Sequence, residues 1–242
     1  MSVRQRLDAL LVARGLYQTR SRARDAILRG TVTVDGAIAA KPAQLTPADA
    51  EIALADAAKS YVSRAALKLK HALETFSLDV RGRCALDIGA STGGFTQVLL
   101  EEGATHVTAI DVGHGQMTIT DPRVTLIEGL NARDLTAAHL PHPIDLIVCD
   151  VSFISLKLAL PPALDLAEPD AQLVALIKPQ FEVGRARLGK DGIVTDPADW
   201  QRVCDETAIL LQGRGWQVLG IVASPLPGGD GNREFLIAAR RA

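Results

Sequence analysis

Asp150 and Lys178 each stand directly behind a run of apolar residues, Ile144 to Cys149 (IDLIVC) and Leu173 to Ile177 (LVALI). Such runs predict buried strands, and open α/β sheets keep their chemistry just past the carboxyl ends of parallel strands. Glu234 opens a further run, Glu234 to Ala239, reached from Trp216 to Val222 through ASPLPGGDGNR with no room for a crossover helix, so the two strands are expected to be antiparallel. Its beginning therefore falls at the same edge. An amine and two carboxylates gathered there can take a proton from a weak nucleophile, such as a sugar hydroxyl, and align it for attack. Lys68 is different. Ala65, Leu69, Leu73 and Phe76 form the buried stripe of its helix, and Arg64 and Lys68 share an adjoining, more polar face, so the pattern alone makes Lys68 a surface residue.

The elements that must position these residues begin at residue 61, where apolar runs alternate with helical stretches. That alternation implies an α/β fold, a mostly parallel sheet covered by helices on both faces. The expected strands are Cys84 to Ile88, Val107 to Val112, Val124 to Ile127, Ile144 to Cys149, Leu173 to Ile177, Trp216 to Val222 and Glu234 to Ala239. Between the first of them and the next helix runs LDIGASTGGF, with Asp87, Gly89, Gly93 and Gly94. Glycines there let the backbone pass close to a ligand, and the helix that follows aims free amides at it. The spacing is not the GxGxxG of dinucleotide folds; its Asp-x-Gly-x-x-x-Gly form resembles an S-adenosylmethionine loop. Asp111 ends the second strand, where a carboxylate can accept from a ribose diol, and Asn131 follows the third, where its amide oxygen can accept from an adenine amino group.

Residues 1 to 30 carry seven arginines against Asp8 and Asp25, although the 242-residue chain has a net charge of −2. Leu7, Leu10 and Leu11, then Ala23, Ala26 and Ile27, repeat at helical spacing on either side of Gly15, and Thr31 to Val34, Asp35-Gly36 and Ala37 to Ala40 read as a two-residue hairpin. Helix, helix and hairpin make a compact basic unit suited to phosphate backbones. A small, polar stretch over Leu54 to Ser60 (LADAAKS) reads as a linker, so the expected organisation is a unit over 1–55, a linker over 56–60 and a larger domain over 61–242. Arg185, Arg187 and Lys190 lie on a second basic stretch, EVGRARLGKDG, which suits either a mobile arm gripping phosphates or a solvated loop.

Composition bounds the rest. With 48% hydrophobic and 22% charged residues the chain can bury a full core, and no apolar run approaches the ~18 residues that span a bilayer, so a cytoplasmic location and no membrane partner are expected. Cys84, Cys149 and Cys204 have neither zinc-ligand nor disulfide spacing and read as core residues; no metal is expected.

YVSRAALKL, LDIGASTGGF, DVSFISL, LIKPQFEVG and GNREF, in that order behind SRARDAILRG and TVTVDG, resemble the TlyA family of ribosomal RNA 2'-O-methyltransferases, also called hemolysin A proteins and related to the FtsJ family. The front segment, roughly residues 4 to 55, resembles the S4 RNA-binding domain. The resemblance implies a class I, Rossmann-like, seven-stranded methyltransferase domain with its last strand antiparallel, preceded by a small α+β S4-like domain. It also implies a Lys-Asp-Lys-Glu catalytic tetrad at Lys68, Asp150, Lys178 and Glu234. S-adenosylmethionine is the implied cofactor, held by Asp87, Gly89, Ser91, Thr92, Gly93, Gly94, Phe95, Asp111, Val112, Asn131, Ala132 and Asp150. Ribosomal RNA is the implied partner, met by Arg4, Arg6, Arg14, Arg20, Arg22, Arg24, Arg29, Arg64, Arg185 and Arg187. Cytidine 2'-hydroxyls of the large subunit and, for longer family members, of the small subunit too are the implied targets; the chain ends shortly after its last strand, as the shorter members do, which favours the large subunit with the small one still open. Lys178 is the expected base. A free lysine has a pKa of about 10.4, so desolvation or a second cation is required, and Lys68 is expected to supply that crowding.

Four rival readings fit the sequence less well. Amino-directed methylation uses an Asp/Asn-Pro-Pro-aromatic motif where this chain has Asp150-Val-Ser-Phe153, and carbon-5 pyrimidine methylation needs a Pro-Cys nucleophile that is absent. A noncatalytic ribosome-binding or assembly factor gives no reason for a complete tetrad, and a membrane-active hemolysin has no long lysine-rich amphipathic helix to act through. Nothing in the sequence indicates the oligomeric state.

Overall fold

A computed structural model describes residues 4–228 and 230–242, with the side chain of Lys190 excepted. The chain divides into two compact units between Ser60 and Tyr61.

The first unit contains β1 (Arg4–Arg6), α1 (Leu7–Ala13), α2 (Arg20–Leu28), β2 (Val32–Val34), β3 (Ala37–Ile38), β4 (Leu45–Pro47) and β5 (Ile52–Leu54). Leu7, Leu11, Ala23, Ala26 and Ile27 turn their helical stripes onto Val32 and Ala39. Thr19 starts α2 by accepting from the Arg22 amide, which satisfies one of the free donors of a helix start. Asp35 and Gly36, with φ of 49° and 79°, make the tight hairpin turn that requires two left-handed residues. β5 then joins the other side of β2, and β1 pairs with β4; both ladders are three residues long, too short to show alternation in sequence. The stretch read as a linker is held within this unit: Asp56, with its side chain 1% exposed, accepts from Arg29 and from the Tyr17 hydroxyl.

The second unit contains α3 (Ala66–Phe76), β6 (Cys84–Ile88), α4 (Gly94–Glu101), β7 (His106–Asp111), β8 (Val124–Glu128), β9 (Ile144–Cys149), α5 (Leu156–Ala159), α6 (Pro161–Leu166), β10 (Ala167–Ile177), α7 (Pro179–Glu182), α8 (Pro197–Gln212), β11 (Trp216–Ala223) and β12 (Phe235–Arg241). Among the described residues, seven strands form one sheet in the order β11-β12-β10-β9-β6-β7-β8. β6 to β10 run parallel, and β12 is antiparallel to both its neighbours. The period-2 alternation of side chains builds two cores. Leu146, Val148, Val174, Leu176 and Leu236 face α3 and α4, whereas Ile147, Cys149, Leu173, Ala175 and Ile237 face α5, α6 and α8. Cys149 and Cys204 are buried and Cys84 is half-buried, all as free thiols.

Five of the strands differ from expectation in at least one bound, β7, β8 and β11 by a single residue at one or both ends. β10 starts at Ala167, earlier than the apolar run, because exposed Glu168 and Asp170 precede a register shift. Glu234 lies one residue before β12 rather than inside it. Chain order reverses between β6 and β9, and such a switch point opens a crevice at the carboxyl ends of the strands.

Candidate active site

Two ion pairs occupy that edge. Lys178 Nζ lies 2.7 Å from Asp150 Oδ1, and Lys68 Nζ lies 2.5 Å from Glu234 Oε2. Asp150 is placed by its amide, which donates to Ile88 O and so continues the β9–β6 ladder by one residue. Lys178 follows β10 directly, and the register Ile177 with Phe235 sets it beside Glu234 across the β10–β12 ladder. Glu234, Lys178 and Asp150 therefore sit on three consecutive strands. Lys178 also donates to Ser152 Oγ at 2.9 Å.

Lys68 is not a surface residue: it is 5% exposed, because α3 packs on β12 and its Nζ ends on Glu234, itself 3% exposed. Burying one ion without the other is costly, so the two must be inserted together. Gly228 makes room, since a Cβ there would stand 2.6 Å from Glu234 Oε1. Each of the two lysines has a carboxylate partner, Glu234 for Lys68 and Asp150 for Lys178.

Beside these pairs a cleft of about 510 Å³ opens between the ends of β6, β7 and β9. Its walls include the expected residues Gly89, Ser91, Asp111, Val112, Asn131, Ala132 and Asp150. The loop after β6 depends on its glycines. A Cβ on Gly89 would stand 2.7 Å from Asp150 O, and one on Gly93 would stand 2.6 Å from Met117 Sδ and Ile119 Cγ1, with φ of +83° and +96°. The other expected contacts support the loop from behind. Thr92 O accepts from the Thr118 hydroxyl, Gly94 opens α4 against Ser63, and Phe95 is buried in the core.

Asp111 and Asn131 line the cleft, and Asp87 is buried one residue before its Ile88–Gly89 wall. Asp111 accepts the Ser91 amide on Oδ2 and the Gly113 amide on Oδ1, at 2.8 and 2.7 Å, which orients the carboxylate and leaves a lone pair on each oxygen for a diol. Asp87 is fully buried. Burial, with the charges of Asp150 and Asp111 adding to it, pushes its carboxyl up to about 7, against the hydrogen bond from Thr96 Oγ1 at 2.6 Å. Its Oδ1 has no partner among the described residues. Asn131 departs from expectation: its Oδ1 accepts from the Arg133 amide and Nε, because Asn131 caps the turn Ala132–Asp134. The oxygen assigned to an adenine amino group is thus engaged.

Sequence reasoning missed Gln116, Ser152 and Phe153. Gln116 accepts from the Ser91 hydroxyl at 3.0 Å in the cleft wall. Phe153 is 92% exposed with φ +65° and lies tilted against Phe181, ring centroids 5.1 Å apart. A non-glycine residue keeps a left-handed backbone only where its surroundings impose it, and in sequence Phe153 is an ordinary phenylalanine in DVSFISL. Phe153, Ile154 and Asn131 also wall a second groove of about 670 Å³, which continues to Phe181, Arg133 and Arg185.

The expected RNA-binding arginines fall into distinct settings. Arg4, Arg6, Arg14, Arg20 and Arg24 are exposed, and Arg6 and Arg20 both donate to Asp8, whose carboxyl these guanidinium groups hold down at about 2. Arg22 is half-buried, reaching Ala58 O and Lys59 O. Arg29 is withdrawn from the surface: its guanidinium bridges Asp25 and Asp56 and is 15% exposed. In the second unit Arg64 is half-buried, Arg185 is exposed and Arg187 pairs with Asp199 at 3.0 Å. The side chain of Lys190, expected on the same basic stretch, lies outside the described residues.

A model of the FtsJ-like methyltransferase family matches residues 61–241, and an S4 domain model matches residues 5–52. The chain is 46% identical to a 16S/23S rRNA (cytidine-2'-O)-methyltransferase TlyA of Mycobacterium tuberculosis, over 99% of this chain and 91% of that protein. A solved structure named for hemolysin from Streptococcus thermophilus is 37% identical, covers 100% of this chain and 90% of its own, and superposes with a TM-score of 0.77. An S-adenosylmethionine-dependent methyltransferase structure from Listeria monocytogenes, 16% identical over 74% of this chain and 100% of that one, shares the fold with a TM-score of 0.57.

Proposed function

The chain belongs to the TlyA family of FtsJ-like methyltransferases that carry an S4 domain, and from that premise we propose that it transfers a methyl group from S-adenosylmethionine to cytidine 2'-hydroxyls of ribosomal RNA. The observation that carries the proposal is the convergence of Asp150, Lys178, Glu234 and Lys68 at one sheet edge, where Asp150 also lines the cleft that Gly89 walls.

The cleft fits the donor. Asp111 offers a preset carboxylate to a ribose diol, and Gly89, Ser91 and Val112 line the cleft beside it. S-adenosylmethionine, when bound, supplies an electrophilic methyl on a sulfonium.

Lys178, its side chain 11% exposed, takes the hydroxyl proton in its neutral form, and Asp150, 2.7 Å from its Nζ, balances the ammonium that results. A fixed carboxylate at the place where charge develops stabilises the transition state without reorganisation. Ser152 holds the amine from a second direction. Glu234, neutralised by Lys68, fixes the neighbouring strand start. The groove walled by Phe153, Phe181, Arg133 and Arg185 suits the nucleotide being modified, with rings to stack a base and guanidinium groups to meet phosphates. The exposed arginines of the first unit supply an RNA anchor of the S4 kind, and a ribosomal RNA substrate places the protein in the cytoplasm.

The test is radiolabelled methyl transfer to each ribosomal subunit purified from cells lacking the gene, with the modified position mapped. Label on a cytidine 2'-oxygen is the expected result, and the subunit that takes it up assigns the target. Absence of label from both subunits and from their free RNA sinks the proposal and leaves an RNA-binding assembly factor.

A further inference from the structure

Glu182 joins two segments on which the site depends. It is the last residue of α7, the four-residue helix that begins directly after Lys178. Its Oε2 accepts from Ser155 Oγ at 2.5 Å, and its Oε1 accepts from the Leu156 amide at 2.8 Å. Both donors lie at the far end of the 150–155 connection, whose near end is Asp150. Lys178, at the other end of α7, grips that near end through Asp150 and Ser152. The short helix is therefore a strut with a hold at each end of one connection.

Midway along that connection stands Phe153, left-handed and almost fully exposed, between the cleft and the second groove. Such a conformation persists only where the surroundings impose it. Phe181 leans on its ring, and Phe181 is itself part of α7. Glu182 walls neither cavity, so it acts through what it holds. A carboxylate suits the task because two acceptor oxygens can take a hydroxyl and a backbone amide at once; a primary amide would offer one.

We propose that Glu182 is a positioning residue for methyl transfer, holding the 150–155 connection so that Phe153 and Asp150 keep the geometry in which the RNA nucleotide is received. This rests on the methyltransferase reading above. Ser155, which also caps α5 by accepting from the Lys157 amide, is the partner through which the hold is transmitted.

Steady-state kinetics with RNA and with donor varied separately, on Glu182→Gln, Glu182→Ala, Ser155→Ala and the Ser155→Ala/Glu182→Ala double variant, decide the matter. Glu182→Ala is expected to lower kcat/KM for RNA by roughly tenfold to a hundredfold, the scale of a misplacement of about 1 Å, while donor affinity by calorimetry and the thermal unfolding midpoint stay near those of the unaltered protein. Glu182→Gln, keeping one acceptor, falls between. Ser155→Ala causes a smaller loss in the Glu182→Ala background than in the unaltered one, since the two residues share one link while the cap that Ser155 gives α5 is lost in both. Unchanged kcat/KM for RNA in Glu182→Ala overturns the inference, as do additive losses in the double variant or a loss shared equally by donor and RNA. Should the unaltered protein methylate no RNA, the methyltransferase reading fails and takes this inference with it.

Discussion

Lys68 and Glu234, 166 positions apart in the chain, meet through Nζ and Oε2 at 2.5 Å with almost no solvent around either. The pair fastens the first turn of α3 to the residue before β12, beside Lys178, so that helix and that strand are locked together at the site itself.

Removing one member leaves the other charged and unpaired in a dry place. Lys68→Met is expected to destabilise the second unit by about 3–5 kcal/mol, whereas Lys68→Met/Glu234→Leu regains most of that loss because neither charge remains buried. Urea unfolding measures both. A single variant as stable as the double would show that the buried charge is solvated in some other way.

At Lys178 the expected loss is chemical. Lys178→Ala lowers methyl transfer by about 10²–10⁴-fold, the usual worth of a positioned proton acceptor, with donor and RNA binding retained. Lys178→Arg does not rescue it, because a guanidinium keeps its proton. Near-normal turnover by either variant refutes the base assignment.

Asp87 makes stability depend on pH. Its carboxyl is pushed up to about 7 by burial, so between the unfolded value of 3.8 and that point the unfolded chain releases a proton that the folded one keeps. Stability is therefore full below the unfolded value and falls as pH rises towards 7. Asp87→Asn removes this slope, and unfolding free energies at a series of pH values test it; an unchanged slope assigns the dependence to another group.

The arginines of the first unit separate into anchors and contacts. Arg29→Ala strands Asp56, 1% exposed, and the Tyr17 hydroxyl bonded to it, and is expected to lower the unit's stability. Arg24→Ala leaves stability unchanged, weakens RNA binding and makes the log–log salt dependence shallower by about one. Filter binding at several salt concentrations, set beside thermal unfolding, distinguishes the two; an Arg24 variant with an unchanged slope removes it from the interface.

Strand runs such as IDLIVC and LVALI are legible because a strand buried on both faces is apolar at nearly every position, and the residue after each run, Asp150 or Lys178, is located by where the run stops. The glycines of the first loop are legible too, since few other residues accept their backbone angles. Side-chain partners are another matter. Lys68 looks like a surface lysine in its helix, and only β12 arriving with Glu234 buries it. Arg29 looks like Arg20 and Arg24 until Asp56, far along the chain, claims it. Asn131 offers an oxygen to a ligand in sequence and to its own turn in the fold, while Phe153 is bare because the connection holding it is pinned by Glu182. Local periodicity determines which elements form and where they end; which charges face each other depends on contacts between distant segments, and those exist only once the chain has packed.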